Sequence, residues 1–223
     1  EALLSVAVSN SRRSTVLSGE PAALERVLSQ LEARGIFCRR VKVDVASHSP
    51  QVDVLREDLL SALADVSPQP PALAMRSTVS GRAIGEGELN AAYWVDNLRK
   101  PVRLADVVED LLREGYGTFV EMSPHPILLP ALEELCGETG TDATVVGSLF
   151  RNRPERAAML ASLGKLHVHG CGLHVQGVFP SGGRRVELPN YPWQRKRYWV
   201  EASATQQRRD RRPPRPDAVE HRV

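Results

Sequence analysis

The hydrophobic positions of the first 45 residues follow strand and helix periods in turn. Short runs rich in Val and Leu at residues 3–8 and 14–17 predict two strands with a polar turn between them. Before Gly35, an amphipathic helix is predicted by the spacing i, i+3, i+4 and i+7 of Leu24, Val27, Leu28 and Leu31. Alternating apolar and polar side chains from Ile36 to Val45 predict a third strand, so the predicted order is β-β-α-β.

Farther along, helical and strand periods alternate. Pro50 opens a predicted helix whose apolar face runs to Val66, and Pro101 opens another that ends before Gly115. Strands are predicted at Met75–Val79, Thr118–Met122 and Thr144–Gly147, and helices at Ile127–Leu135 and from Pro154 to Leu166. Strands that alternate with helices predict an α/β fold with a mainly parallel sheet.

The end of the chain has a different composition. The segment Leu188–Trp199 holds four aromatic residues and two prolines, which predicts an extended strap across a domain surface. Residues 201–223 contain six arginines and four acidic residues, which accounts for the whole net charge of +2. We expect this tail to be disordered, and the neutral remainder gives no basic face for nucleic acid.

Composition excludes several protein classes. The chain is 42% hydrophobic and 25% charged, values typical of a globular protein. It has no apolar run long enough for a membrane span and no basic-then-apolar leader, so we expect a cytoplasmic protein. Its three cysteines lie far apart, so we expect free thiols.

His48 is the first candidate for chemistry. It lies between the end of a predicted strand and a predicted helix that starts after Ser49, where the helix dipole favours a neutral imidazole able to act as a general base. The alternative is a histidine without a catalytic role. A serine nucleophile would complete such a site, but the sequence contains no G-x-S-x-G elbow.

A rival cluster lies near the end of the last predicted helix. His167, His169, Cys171 and His174 are four possible metal ligands within eight residues, although they straddle a helix end and a glycine turn. A metal-binding module built on these four is therefore one alternative function.

Four motifs together resemble the acyltransferase domain of modular type I polyketide synthases. They are Val43–Asp53 (VDVASHSPQVD), Tyr93–Arg103 (YWVDNLRKPVR), Glu121–Pro126 (EMSPHP) and, like the linker that follows such domains, Leu188–Trp199 (LPNYPWQRKRYW). The resemblance implies a partial α/β-hydrolase-like large subdomain with part of a ferredoxin-like small subdomain, then an extended linker. The implied ranges are 1–44 for the small subdomain, 45–140 for the large one, 141–200 for the post-acyltransferase linker and 201–223 for the tail.

The resemblance also implies a reaction and its participants. Such a domain passes a malonyl-type extender from coenzyme A to the phosphopantetheine arm of an acyl carrier protein through a serine ester. The resemblance implies that His48 is the general base and that the backbone carbonyl of Asn97 orients the His48 ring. It implies no cofactor or metal in this chain. The implied partners are the carrier protein, an adjacent ketosynthase and an N-terminal half of the domain, in a homodimeric synthase, with neither nucleic acid nor membrane.

In the family the nucleophilic serine lies upstream of the region that this chain resembles, so we expect the chain to be inactive alone. The residues before His48 bear on the choice of extender. Val45, Ala46 and Ser47 favour methylmalonyl weakly, because Ser47 is small while Val45 departs from the tyrosine usual in methylmalonyl domains. A non-catalytic docking or scaffold segment of a multienzyme is the other alternative.

Overall fold

The computed structural model describes residues 3–184 and 186–198. The chain divides into two compact units, the first ending at Leu173 and the second beginning at His174. The second unit has one short helix, α7 (Val175–Val178), and its other described residues are in neither helix nor strand. Within it the rings of Tyr191 and Trp193 meet edge to face with centroids 5.0 Å apart. The predicted disordered tail lies outside the described residues.

The first unit opens with the hairpin that the sequence predicts. Strands β1 (Leu4–Ser9) and β2 (Thr15–Gly19) pair antiparallel, and helix α1 (Pro21–Ala33) follows. The Glu20 carboxylate accepts hydrogen bonds from the first backbone amides of α1, which otherwise have no partner in the helix. The predicted first helix and the two strands before it are confirmed.

The predicted third strand is wrong. Residues 36–43 form neither strand nor helix, and the side chains of Phe37 and Val43 are 89% and 68% exposed. Alternation fits a strand, but a strand also needs a neighbour to take its backbone hydrogen bonds, and the described residues place none beside this segment.

The second half of the first unit contains its main hydrophobic core. Strands β3 (Thr118–Glu121) and β4 (Thr144–Gly147) pair in parallel, as expected. Helices α4 (Leu104–Arg113) and α5 (Leu129–Thr139) pack on them around Leu135, which is fully buried. Helix α6 (Glu155–Val168) is joined to β4 by hydrogen bonds from Ser162 and Lys165 to strand carbonyls. The predicted boundary at residue 141 falls between α5 and β4, which share this core.

Three other predictions need correction. The helix expected after Ser49 is a 3-10 segment (Pro50–Leu55) followed by a short α2 (Arg56–Ala62). The strand expected at residues 75–79 is reduced to one isolated bridge between Arg76 and Ala83, and the described strands form two separate pairs rather than one sheet. Helix α3 (Ala91–Arg99) is absent from the prediction, although Asn90 marks its start: the side chain of Asn90 accepts a hydrogen bond from the N–H of Tyr93.

The hairpin is anchored on the second half of the unit. The backbone of Val102, just before α4, exchanges hydrogen bonds with Ala7 and Ser9 of β1 in a short parallel bridge. The buried Ser11 hydroxyl donates to the carboxylate of Glu134 on α5 at 2.9 Å. These contacts fix the hairpin relative to the end of α3. None of the helices in the described ranges is both long and apolar enough to cross a membrane.

Candidate active site

His48 is held against the carboxyl end of α3. Its backbone N–H donates to the carbonyl of Leu98 at 2.8 Å, and its half-buried ring lies beside the residue that ends the helix. The sequence predicts this ring at the start of the following helix. In the structure that element is the six-residue 3-10 segment, and the imidazole instead contacts α3.

One hydrogen bond fixes the tautomer of the ring. The Nδ1 atom of His48 lies 2.7 Å from the backbone carbonyl oxygen of Lys100. A carbonyl can only accept, so Nδ1 carries the proton and donates it. In the neutral ring Nε2 then has a free lone pair, which is what a general base requires.

The backbone of His48 is in an unusual conformation. Its φ of +62° lies in the left-handed region, which residues with a side chain seldom adopt. Such a conformation costs about 1–3 kcal/mol and persists only where neighbouring contacts enforce it. Strain of this kind is concentrated at functional sites. In this backbone conformation the His48 ring is directed toward the end of α3.

The carbonyl that contacts His48 in the structure differs from the one that the resemblance implies. The resemblance implies Asn97, whereas the carbonyl within hydrogen-bonding distance of Nδ1 is that of Lys100. Asn97 lies inside α3, where carbonyls point along the helix axis. At Lys100 the backbone leaves the helix with ψ of 154°, which frees its carbonyl to turn toward the ring.

The loop before His48 carries the residues linked to extender choice. Val45 is 51% exposed, and Ala46 and Ser47 are half-buried. The three directly precede His48 in the chain, so their side chains and the imidazole belong to one turn. A role in selectivity requires this closeness to the base.

An ion pair that the sequence does not predict joins this turn to α3. The Arg99 side chain donates to Asp53 of the 3-10 segment at 2.7 Å, with both side chains partly exposed. The pair joins the segment after His48 to the helical turn before Lys100. Opposite charges 46 positions apart give no local signal, so the sequence pattern could not have paired them.

The remaining candidates do not join this site. Among the described residues no three His, Cys, Asp or Glu side chains form a metal-binding group. His167 and His169, two positions apart at the end of α6, point in different directions, and their Nδ1 atoms face separate backbone carbonyls. The metal module is therefore not supported.

His125, in the EMSPHP motif, lies in a loop where its ring Nδ1 faces the backbone N–H of Arg151 at 3.4 Å.

Comparison with known proteins places the chain in a family. The family model described as "Acyl transferase domain" matches residues 2–172. The chain belongs to this acyl transferase domain family. It is 44% identical over 203 residues to Erythronolide synthase EryA2 of Saccharopolyspora erythraea, and 44% identical over 200 residues to Spectinabilin polyketide synthase system protein NorA' of Streptomyces orinoci. These alignments cover 90% and 89% of the chain but 6% of each relative, so it corresponds to a small part of these synthases.

Solved acyltransferase domains have the same fold. The domain from module 8 of the salinomycin polyketide synthase matches with a TM-score of 0.75 and 39% identity, over 77% of this chain and 40% of that one. The loading acyltransferase of the avermectin synthase matches with a TM-score of 0.71 and 37% identity, over 74% of this chain and 51% of that one. The predicted family and α/β fold class are confirmed, and the chain spans about half the length of these domains.

Proposed function

We propose that this chain supplies the general base of a polyketide synthase acyltransferase, and that His48 is that base. The observation that carries the proposal is the Nδ1 hydrogen bond to Lys100, because it leaves Nε2 as the ring's acceptor. Membership of the acyl transferase domain family supports the same reaction class.

In the proposed reaction, His48 Nε2 takes the proton from a serine hydroxyl as its oxygen attacks the thioester carbonyl of a malonyl-type acyl-CoA. The carbon–sulfur bond breaks, and the coenzyme A thiol leaves with the proton from the imidazolium. The thiol of the carrier protein's phosphopantetheine then loses its proton to His48 and attacks the serine ester. The ester bond breaks and the proton returns to the serine oxygen.

The nucleophile in this proposal is a serine that does not belong to these 223 residues. No serine of the sequence stands in a G-x-S-x-G elbow, and the chain covers 40% of the solved domain from module 8 of the salinomycin synthase. We therefore expect the chain alone to form no acyl-enzyme from malonyl-CoA or methylmalonyl-CoA. A burst of acyl-enzyme from the isolated chain would contradict this.

The extender is proposed to be methylmalonyl. Ser47 is small and half-buried beside the base, so it leaves room for an α-methyl group, although Val45 departs from the usual pattern. One methyl group in a pocket is worth about 1–3 kcal/mol, so a preference of roughly 10- to 200-fold is the expected range.

The test supplies the missing nucleophile. The chain is combined with an elbow-bearing N-terminal half of the domain, and transfer of labelled extender to a carrier protein is measured with each acyl-CoA. His48→Ala is expected to lower transfer by about 10²- to 10⁴-fold, while His169→Ala, on the exposed end of α6, serves as the matched control. Equal transfer by wild type and His48→Ala would refute the role of His48 as general base. It would favour the alternative that the chain is a non-catalytic docking segment. Equal use of both extenders would refute the methylmalonyl preference.

A further inference from the structure

Ser49, the residue after His48, is completely buried, and its hydroxyl makes two hydrogen bonds. The side chain is 0% exposed, and its Oγ donates to the carbonyl of Ala46 at 2.7 Å. The same oxygen accepts the backbone N–H of Gln51 at 3.3 Å and so caps the 3-10 segment. The sequence predicts only this capping role for Ser49.

The two hydrogen bonds of Ser49 connect the chain on both sides of His48. One partner lies two residues before His48 and the other three residues after it, so a single hydroxyl closes the turn around the left-handed residue. A buried hydroxyl that is removed leaves its backbone partners without a substitute, because water does not reach a site with no exposed area.

The other contacts of the turn cannot replace this bridge. The backbone bond to Leu98 fixes the nitrogen of His48, and the ring bond to Lys100 forms only when the side chain is already directed at α3. The Arg99–Asp53 pair is partly exposed and holds the segment after the turn, so it is screened by solvent and does not reach Ala46.

The geometry points to Ser49 as the positioning residue of the catalytic base: its buried hydroxyl holds the turn in which the His48 ring donates from Nδ1 to Lys100. This inference rests on the proposed function for its catalytic meaning, but the effect on the ring can be measured without activity. In the proposed reaction Ser49 touches no substrate, because it has no exposed area.

The first experiment reads the tautomer directly. Two-bond ¹H–¹⁵N correlation spectra are recorded on the full chain labelled with ¹⁵N-histidine, at a pH where the rings are neutral. We expect His48 to be protonated on Nδ1 in the wild type and in Ser49→Thr, which keeps the hydroxyl. A mixture of Nδ1–H and Nε2–H forms is expected in Ser49→Ala. Ser49→Cys, which fills the same space but is a weak hydrogen-bonding group, should give a similar mixture if the alanine variant does not fold.

Ser148→Ala is the matched control. Ser148 is 8% exposed, and its hydroxyl also donates to one backbone carbonyl and accepts one backbone amide, both of Ser123, so its loss tests for a general effect of removing a buried serine. A single Nδ1–H form of His48 in both Ser49→Ala and Ser49→Cys would overturn the inference. So would the same mixture in Ser148→Ala.

The second experiment measures acyl transfer in the complemented domain. Ser49→Ala is expected to lower kcat by about 10- to 100-fold, because a displaced base loses its alignment with the nucleophile. The KM for acyl-CoA should change by less than about twofold, since no substrate contact is removed. An unchanged kcat in a Ser49→Ala protein whose His48 shows mixed tautomers would refute an effect of Ser49 on catalysis. Transfer that survives His48→Ala would refute the proposed function separately from the effect of Ser49 on the ring.

Discussion

Glu121, at the end of β3, offers a sharp test of how this strand is joined to the start of α5. The residue is 9% exposed, and its carboxylate accepts three hydrogen bonds. Oε1 accepts from Ser123 Oγ at 3.0 Å and from the N–H of Ile127 at 2.8 Å, and Oε2 accepts from the N–H of Leu128 at 2.9 Å. The two amides come just before α5, so one side chain satisfies donors at the start of that helix.

Glu121→Gln preserves the size of the side chain and removes one acceptor. Whichever way the amide is turned, its NH₂ group faces at least one backbone N–H, so a buried donor loses its partner. An unpaired buried donor costs about 1–3 kcal/mol, and the bonds that remain lose the strength contributed by the charge. We expect the free energy of unfolding to fall by about 2–4 kcal/mol in total.

Urea unfolding of the full chain, followed by far-UV circular dichroism, measures this loss. Glu133→Gln is the control, because Glu133 is exposed on α5 and should change stability by less than about 0.5 kcal/mol. Amide hydrogen exchange at Ile127 and Leu128 should accelerate in the Glu121 variant. An unchanged midpoint together with unchanged exchange at both amides would refute the assigned role of the carboxylate.

Three other predictions test the core, a thiol and a helix cap. Leu135→Ala should lower the free energy of unfolding by about 3–5 kcal/mol in the same urea assay, and a loss below about 1 kcal/mol would contradict its full burial. Burial raises the pKa of the Cys136 thiol, so peptide mapping should show slower alkylation there than at the other two cysteines, and equal rates would count against this. Backbone hydrogen bonds from the first turn of α1 lower the pKa of Glu20, so its stabilising effect is present above the unfolded pKa and is lost as pH falls through the folded one. An NMR titration that gives Glu20 the midpoint of an unfolded glutamate would rule this out.

The elements predicted correctly are those whose signal is local. Helix α4 has a strongly one-sided apolar stripe between Pro101 and Gly115, and β4 is a short Val-rich run whose four residues are all buried. In both, the residues that determine the element lie within it, so period and end signals were sufficient. The segment from Ile36 to Val45 has an equally clear alternation but forms no strand, because pairing depends on a neighbour that its own sequence does not specify.

The same distinction between local signals and distant contacts applies to the candidate site. Local signals suffice to predict a histidine at a turn before a capped segment, because His48, Ser49 and Pro50 are adjacent in the chain. The hydrogen-bond partner of the ring is Lys100, which is 52 positions away and is brought to His48 by the fold. This pairing depends on where α3 ends and on how its last carbonyl turns, and both are set by packing between distant segments rather than by the residues around His48.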